Sequence, residues 1–400
     1  MAGEAIFMLP FLIPRLYRPL MLESWRMSNT DLGAAFSAYG ISSMISYITG
    51  GHFADRYHPR SLISISLIAT ALAGIALLFS HSATTLTVIY FLFGISNIFL
   101  MWGALIKVTH VSGGEENRSA AMGILDSGRG LIAAIMSSVL VAIINWKYSE
   151  QVISSGSVKA METIYFVVIG FTLFIALGIW ISLKGFETTE QNESKWELSK
   201  ALTLLKVPQV WLLGIVILCA YCSYKSVDNF GIYLVDVKKV SIAESSTFTS
   251  IIFWLRPLSA LLIGFFADAF QARNSRGRFL TLAILLLFGG LAHFLLALDI
   301  FNQLMLIMIV LLSSAAAAYG LRSVYFSIFG DLDIPNSLIG TVVGIVSFVG
   351  FLPDVFYALV TGALIDSSPG ILGFQHAFIF TGVLMVIGAI AAWRLKRAEN

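Results

Sequence analysis

Eight charged side chains stand inside stretches that are otherwise apolar: Arg15, Asp126, Arg129, Lys225, Asp228, Arg256, Arg322 and Asp354. A charge at the centre of a bilayer costs at least ~2.5 kcal/mol, so each of these needs a partner, water or a ligand. Asp126 and Arg129 are three residues apart and share a helix face, and Lys225 and Asp228 repeat the arrangement. Each pair reads equally as a structural bridge or as a substrate contact. Arg15 and Arg256 have no acidic neighbour on their own helices. Arg322 falls near a span end, where snorkelling or a gate bridge accounts for it. Five cations against three anions leave an excess of two, and an unmatched buried cation is stabilised when an anion arrives. A guanidinium fork grips carboxylate, phosphate or sulfonate in bidentate fashion. Arg15, Arg129, Lys225 and Arg256 are therefore the expected anion contacts, with Tyr47 and Tyr224 able to stack and hydrogen-bond beside them. Asp354 has no basic residue within a helical turn and can carry a proton if desolvation raises its pKa. It reads equally as a helix-end hydrogen bonder made available by Pro353. Asp126 and Asp228 could instead release their basic partners on protonation.

The elements that must position these groups are membrane spans. The chain is 58% hydrophobic and 12% charged, about half the charge a soluble domain carries, so its surface must face lipid. Apolar runs cover 2–21, 32–54, 61–80, 84–107, 119–146, 161–184, 209–235, 243–268, 278–298, 303–329, 338–364 and 374–395, each near the ~20 residues a helical span needs. The first carries Glu4 and Arg15 and lacks a basic leader, so it reads as a span and not as a cleaved signal. Spans 3, 6, 9 and 12 have no charge in their interiors, whereas the deep charges fall on spans 1, 5, 7, 8, 10 and 11, a partition that points to a water-accessible path. With a cytoplasmic N-terminus, fourteen Lys and Arg fall inside and five outside. That bias places both termini in the cytoplasm of a multi-pass plasma (inner) membrane protein. The expected architecture is all-α and integral to the membrane. Twelve helices form two pseudo-symmetric six-helix halves, 1–184 and 209–400, joined by a cytoplasmic loop at 185–208.

The halves echo each other. Gly51-His52-Phe53-Ala54-Asp55-Arg56 follows the second span, and Gly264-Phe265-Phe266-Ala267-Asp268 follows the eighth, each with a basic cluster behind it. Gly51 to Arg60, reading G-H-F-A-D-R-Y-H-P-R, resembles the loop motif G-x-x-x-D-R-x-G-R-R of the major facilitator superfamily. His58 and Pro59 depart from its pattern. The resemblance implies that family's fold, with alternating access around a midplane site, and makes Gly51, Asp55, Arg56, Arg60, Gly264 and Asp268 gating residues. Tyr224-Lys225-Ser226-Val227-Asp228, Tyr233-Leu234 and Asn274-Ser275-Arg276-Gly277 are similar to the organophosphate:phosphate antiporters and their organic-anion relatives. Those carriers use basic residues on spans one, five and seven. Arg129 fits the span-five position; the span-seven position falls at Ser223, two residues before Lys225. Drug/proton antiporters fit worse, since their fifth span resembles G-x-x-x-G-P-x-x-G-G and this one reads Gly123-Ile124-Leu125-Asp126-Ser127-Gly128-Arg129-Gly130.

Other chemistries are not supported. Cys219 and Cys222 form a C-x-x-C inside an apolar run with no second ligand pair, and read as small buried residues. The six histidines lie at loops or span ends and never pair at ligand spacing. No metal, cofactor, catalytic residue or nucleic-acid partner is expected. The expected partners are the lipid bilayer and a small anionic substrate, and a monomer suffices. A secondary transporter of organic or phosphorylated anions, driven by protons or by exchange, fits these observations. A transport-inactive ligand sensor of the same fold and a drug/proton antiporter are the alternatives.

Overall fold

The computed structural model describes residues 1–79, 81–113, 118–186, 207–325, 327–328, 339–368 and 370–395. All regular structure among them is helical. Twelve rods follow the chain. They are α1 (Ala2–Trp25), α2 (Asn29–Arg56), α3 (Pro59–Phe79), α4 (Ala83–Thr109), α5 (Arg118–Lys147) and α6 (Val158–Ser182). Then come α7 (Pro208–Asp236), α8 (Ile242–Arg273), α9 (Gly277–Leu298) and α10 (Leu304–Val324). The last two are α11, in two pieces Ile339–Gly350 and Pro353–Ser367, and α12 (Ile371–Arg394). Eleven rods are long and apolar enough to cross a membrane by length and composition. The other, α2, has 28 residues, long enough to span at ~1.5 Å per residue. The helices outrun the apolar stretches at several ends: α1 continues to Trp25, and α2 starts at a capping box in which Ser28 and Asp31 bond each other's backbone. A short helix, Glu150–Ser154, also interrupts the α5–α6 connection.

The chain divides into two compact units. The first holds Met1–Glu190 with Asp228–Trp254 and Asp354–Asp366; the second holds Gln191–Val227, Leu255–Pro353 and Ser367–Asn400. The divisions in α7, α8 and α11 fall close to breaks or prolines in those helices. In α7 the residues Val227–Asn229 form a 3-10 turn, in α8 Pro257 lies just beyond Trp254, and α11 is interrupted before Pro353.

Within the first unit α1 is the irregular rod, and its sequence says why. Pro10, Pro14 and Pro19 have no N–H, so the carbonyls of Ile6, Pro10 and Arg15 lose their helical donors. Met8–Leu12 is a π turn, and Tyr17 leaves helical geometry at φ −125°, ψ 30°. Side chains of α4 take up the first two carbonyls: Asn97 Nδ2 donates to Ile6 O at 3.2 Å and Tyr90 Oη to Pro10 O at 3.0 Å. Asn97 sits in a second π turn, Ile95–Trp102, and its Oδ1 accepts from Thr70 and Ser96. A polar seam thereby pins a kinked α1 where a bilayer would offer no solvent. The start of α1 is fixed by apolar packing of Ala5 and Ile6 with Leu62 and Ile63 of α3, Met101 and Ala104 of α4, and Ile175 and Ala176 of α6.

The second piece of α11, Pro353–Ser367, lies backbone-on-backbone against α2. A Cβ at Gly40 would stand 2.5 Å from the Asp354 carbonyl group, and one at Gly33 would stand 2.6 Å from Ala358 O. No side chain larger than hydrogen fits at either position. The second unit is built around Val210, Leu213 and Ile217 of α7, Phe279, Leu282 and Leu286 of α9, and Met385 and Ala389 of α12. Large apolar side chains such as Phe79, Trp146, Phe174, Leu262 and Phe265 remain on the surface, as expected where lipid is the solvent.

Candidate functional site

In the first unit, Arg129 of α5 is the centre of a charge cluster. Its Nε lies 3.3 Å from Glu4 Oε2 and its Nη1 lies 3.6 Å from Asp126 Oδ1. The guanidinium carbon stands 5.1 Å from the centroid of Phe7 and 5.5 Å from that of Trp102, close enough for cation–π attraction on both rings. Glu4 is 6% exposed, whereas the Asp126 carboxylate is open to solvent. The two carboxylates thus face Arg129 from different environments. The fold buries Glu4, because the packed start of α1 turns it toward α5. Tyr47 of α2 is exposed.

Further along α1, Arg15 forms a buried ion pair with Asp228 of the α7 turn, and its guanidinium lies 5.9 Å from the Phe253 ring. Arg18, also buried, donates to Asn229 Oδ1 at 2.6 Å and to the Asp228 carbonyl at 3.3 Å. The 3-10 turn of α7 delivers Asp228 to α1. Serines join α5 to α8, where Ser250 meets Ser137 at 3.0 Å and Ser138 at 3.2 Å, and Trp254 Nε1 donates to Ser138 at 3.0 Å. Asp354 is half-buried in the first turn of the second α11 piece. At the far end of that piece, Asp366 accepts from Asn29 Nδ2 (2.9 Å), Asn29 N (3.3 Å), Thr30 N (2.7 Å) and Thr30 Oγ1 (2.6 Å). A carboxylate there meets the orphan amides and the positive end of the helix dipole. Asp366→Ala is expected to lower stability by roughly 1–2 kcal/mol. Thermal unfolding in detergent checks it, and Thr30→Val should add little to the alanine variant.

In the second unit, Lys225 and Tyr224 of α7 belong to an aromatic cluster. Tyr221 stacks on Tyr224 with centroids 5.6 Å apart and planes at 17°. Phe351 meets Tyr221 edge to face at 5.0 Å, and Tyr319 meets Tyr224 at 6.0 Å. The Arg322 guanidinium lies 4.5 Å from the Tyr224 centroid, and the Lys225 ammonium, 2% exposed, lies 5.9 Å from that of Tyr221. Arg322 thus lies beside an aromatic ring near the end of α10. Arg256 is buried in α8. His293 lies within α9, fully buried, with Nε2 3.0 Å from Ser226 Oγ and Nδ1 2.8 Å from Gly289 O. Its expected place at a span end is corrected: those partners satisfy both ring nitrogens inside the bundle. Cys219 and Cys222 are buried free thiols. No group of three or more His, Cys, Asp or Glu among the described residues could hold a metal ion.

The motif residues divide by unit. Gly51 and Asp55 lie in α2, but their side chains are outside the described ones. Arg56 is exposed at the end of α2. Arg60 stacks on Trp180 of α6 at 3.9 Å. His58 Nδ1 accepts from the Arg60 amide at 3.2 Å, which leaves Nε2 as the donor to Phe186 O at 2.8 Å. One of the two departures from the motif, His58, thus tethers the α2–α3 turn to the end of α6. In the other copy, Asp268 accepts from Arg278 of α9 at 2.8 and 3.0 Å. A Cβ at Gly264 would meet only Ser323, at 3.8 Å.

One signal could have exposed the missed residues. Glu4, Phe7, Phe11, Arg15 and Arg18 recur at helical spacing and mark a single stripe of α1. Asn229 and Asp366 carry no such pattern.

The sequence model of the Major Facilitator Superfamily matches residues 3–356. The inner membrane protein YqcE of Escherichia coli is 25% identical over 96% of this chain and 91% of its own length. The hexuronate transporter of Bacillus subtilis is 22% identical over 95% of this chain and 89% of its own. Among solved structures, a bacterial homologue of the human lysosomal transporter Spinster, in an inward-facing and unoccupied conformation, superposes with a TM-score of 0.74. It has 15% identity, over 98% of this chain and 94% of that one. Twelve helical rods, charges buried on α1, α7 and α8, and a family match across most of the length lead to one conclusion: the chain belongs to the Major Facilitator Superfamily of membrane transporters.

Proposed function

We propose that this transporter carries a small organic anion by alternating access between two six-helix halves, 1–184 and 209–400, with both termini cytoplasmic. The observation that carries the reading is that each unit holds cations against aromatic faces beside partly open side chains. Arg129 lies over Phe7 and Trp102; Arg322 lies over Tyr224, beside Lys225. A guanidinium beside aromatic rings keeps N–H donors for a bidentate acid group. The hexuronate carrier among the relatives supports the same cargo class.

In this reading Arg129, Lys225 and Arg256 attract the anion, with Tyr224 beside it. Arg15 and Asp228 tie α1 to the start of the outer α7–α8 segment. Asp354, at the break in α11, is the coupling carboxylate, and Asp126 and Asp228 answer to the charge on their arginines. The test is counterflow in proteoliposomes, after a thermal-shift panel of hexuronates, sulfonates, sugar phosphates and dicarboxylates. At least one anion should stabilise the protein and exchange. Stabilisation by neutral or cationic compounds alone would overturn the anion reading, and binding without exchange would make the protein a sensor.

A further inference from the structure

The Glu4–Arg129 contact deserves a role of its own, because no sequence motif requires it and burial makes it costly. A carboxylate 6% exposed is tolerated when a cation meets it, and Arg129 Nε does so at 3.3 Å. The same guanidinium also lies on Phe7 and Trp102 and touches Asp126. Its remaining capacity for an incoming acid group is therefore set by what Glu4 takes.

We infer that Glu4 is an internal competitor for the anion site: its carboxylate occupies Arg129 in the substrate-free protein and must yield when an external acid group binds. The inference rests on the proposed anion reading and adds the residue that regulates it. Three carboxylates around one guanidinium repel one another, and in a site walled by aromatic rings that repulsion is weakly screened. Glu4 belongs to the pair, whereas the solvent-open Asp126 is screened by water and competes less. Glu4 also supplies a means of release, since its return to Arg129 displaces the bound anion. It acts through Arg129 and is a positioning residue.

A purely structural Glu4 and a competing Glu4 predict opposite signs. Glu4→Gln keeps the shape and removes the charge. With glucuronate as probe, or whichever panel anion stabilises the wild type, the variant should bind at least about tenfold more tightly, a shift of one decade in Kd. Transport should show KM and kcat falling together, as release slows. Asp126→Asn should gain less than Glu4→Gln, because its carboxylate is more exposed and stands 3.6 Å from the guanidinium. Unchanged or weaker binding in folded Glu4→Gln, judged by its unfolding profile, overturns the inference, as does an equal gain in Asp126→Asn. If no anion binds either wild type or Glu4→Gln, the anion reading itself fails. Binding to the wild type without a gain in Glu4→Gln sinks only the competitor role.

Discussion

Asp228→Ala is expected to destabilise the protein by about 3–5 kcal/mol, because it leaves the buried Arg15 guanidinium without its carboxylate. Asp228 does more than neutralise one charge. It sits in the 3-10 turn of α7, beside Asn229, where Arg18 also docks through the Asp228 carbonyl and the Asn229 side chain. Alanine keeps the backbone acceptor but removes the group that justifies a second buried arginine close by. Unfolding followed by tryptophan fluorescence in detergent measures the loss. The double variant Arg15→Leu/Asp228→Leu should recover most of it, since apolar replacement of a buried pair is commonly neutral or better. If Asp228→Ala melts within about 0.5 kcal/mol of wild type, the range of an ordinary surface change, the pair is not a structural tie. Should the double variant fold and still exchange anion at the wild-type rate, Asp228 has no part in coupling.

Arg129→Ala is expected to abolish anion-induced stabilisation and to cut transport by more than about a hundredfold, the scale of losing a buried charged hydrogen-bonding partner. Arg129→Lys should rescue little. An ammonium lacks the planar fork and the flat face that lies over Phe7 and Trp102. Removing Arg129 also strands the buried Glu4, so part of the loss will be stability and not recognition. The variant Arg129→Ala/Glu4→Gln separates the two. It should regain stability without regaining anion binding. Wild-type affinity in a folded Arg129→Ala would place the anion site elsewhere, with Lys225, Arg322 and their tyrosines as the next group to test.

The membrane class, the helices and the superfamily were legible before any coordinates, because hydropathy and the loop motif are local properties of the chain. Charged and charge-free spans were separated by the same logic, since lipid penalises a charge wherever it stands. Helix interruptions were only partly legible. Prolines at 10, 14 and 19 announce a broken α1, but the 3-10 turn at Val227–Asn229 has no comparable signal. Arg129 with Asp126 is a pair that periodicity can find.

What the sequence determined by itself is therefore the solvent, the helices and the roster of buried charges. Which charges meet was decided by tertiary structure. Arg15 and Asp228 are 213 residues apart, and Asn29 and Asp366 are 337 apart. Glu4 became the partner of Arg129 only when α1 packed beside α5. Helical spacing ranks neighbours within one turn of one helix, whereas a buried ion pair is settled by which backbone can come close enough to carry it. Here that closeness was granted by the kinks of α1, the turn in α7, and the glycines that let α11 rest on α2.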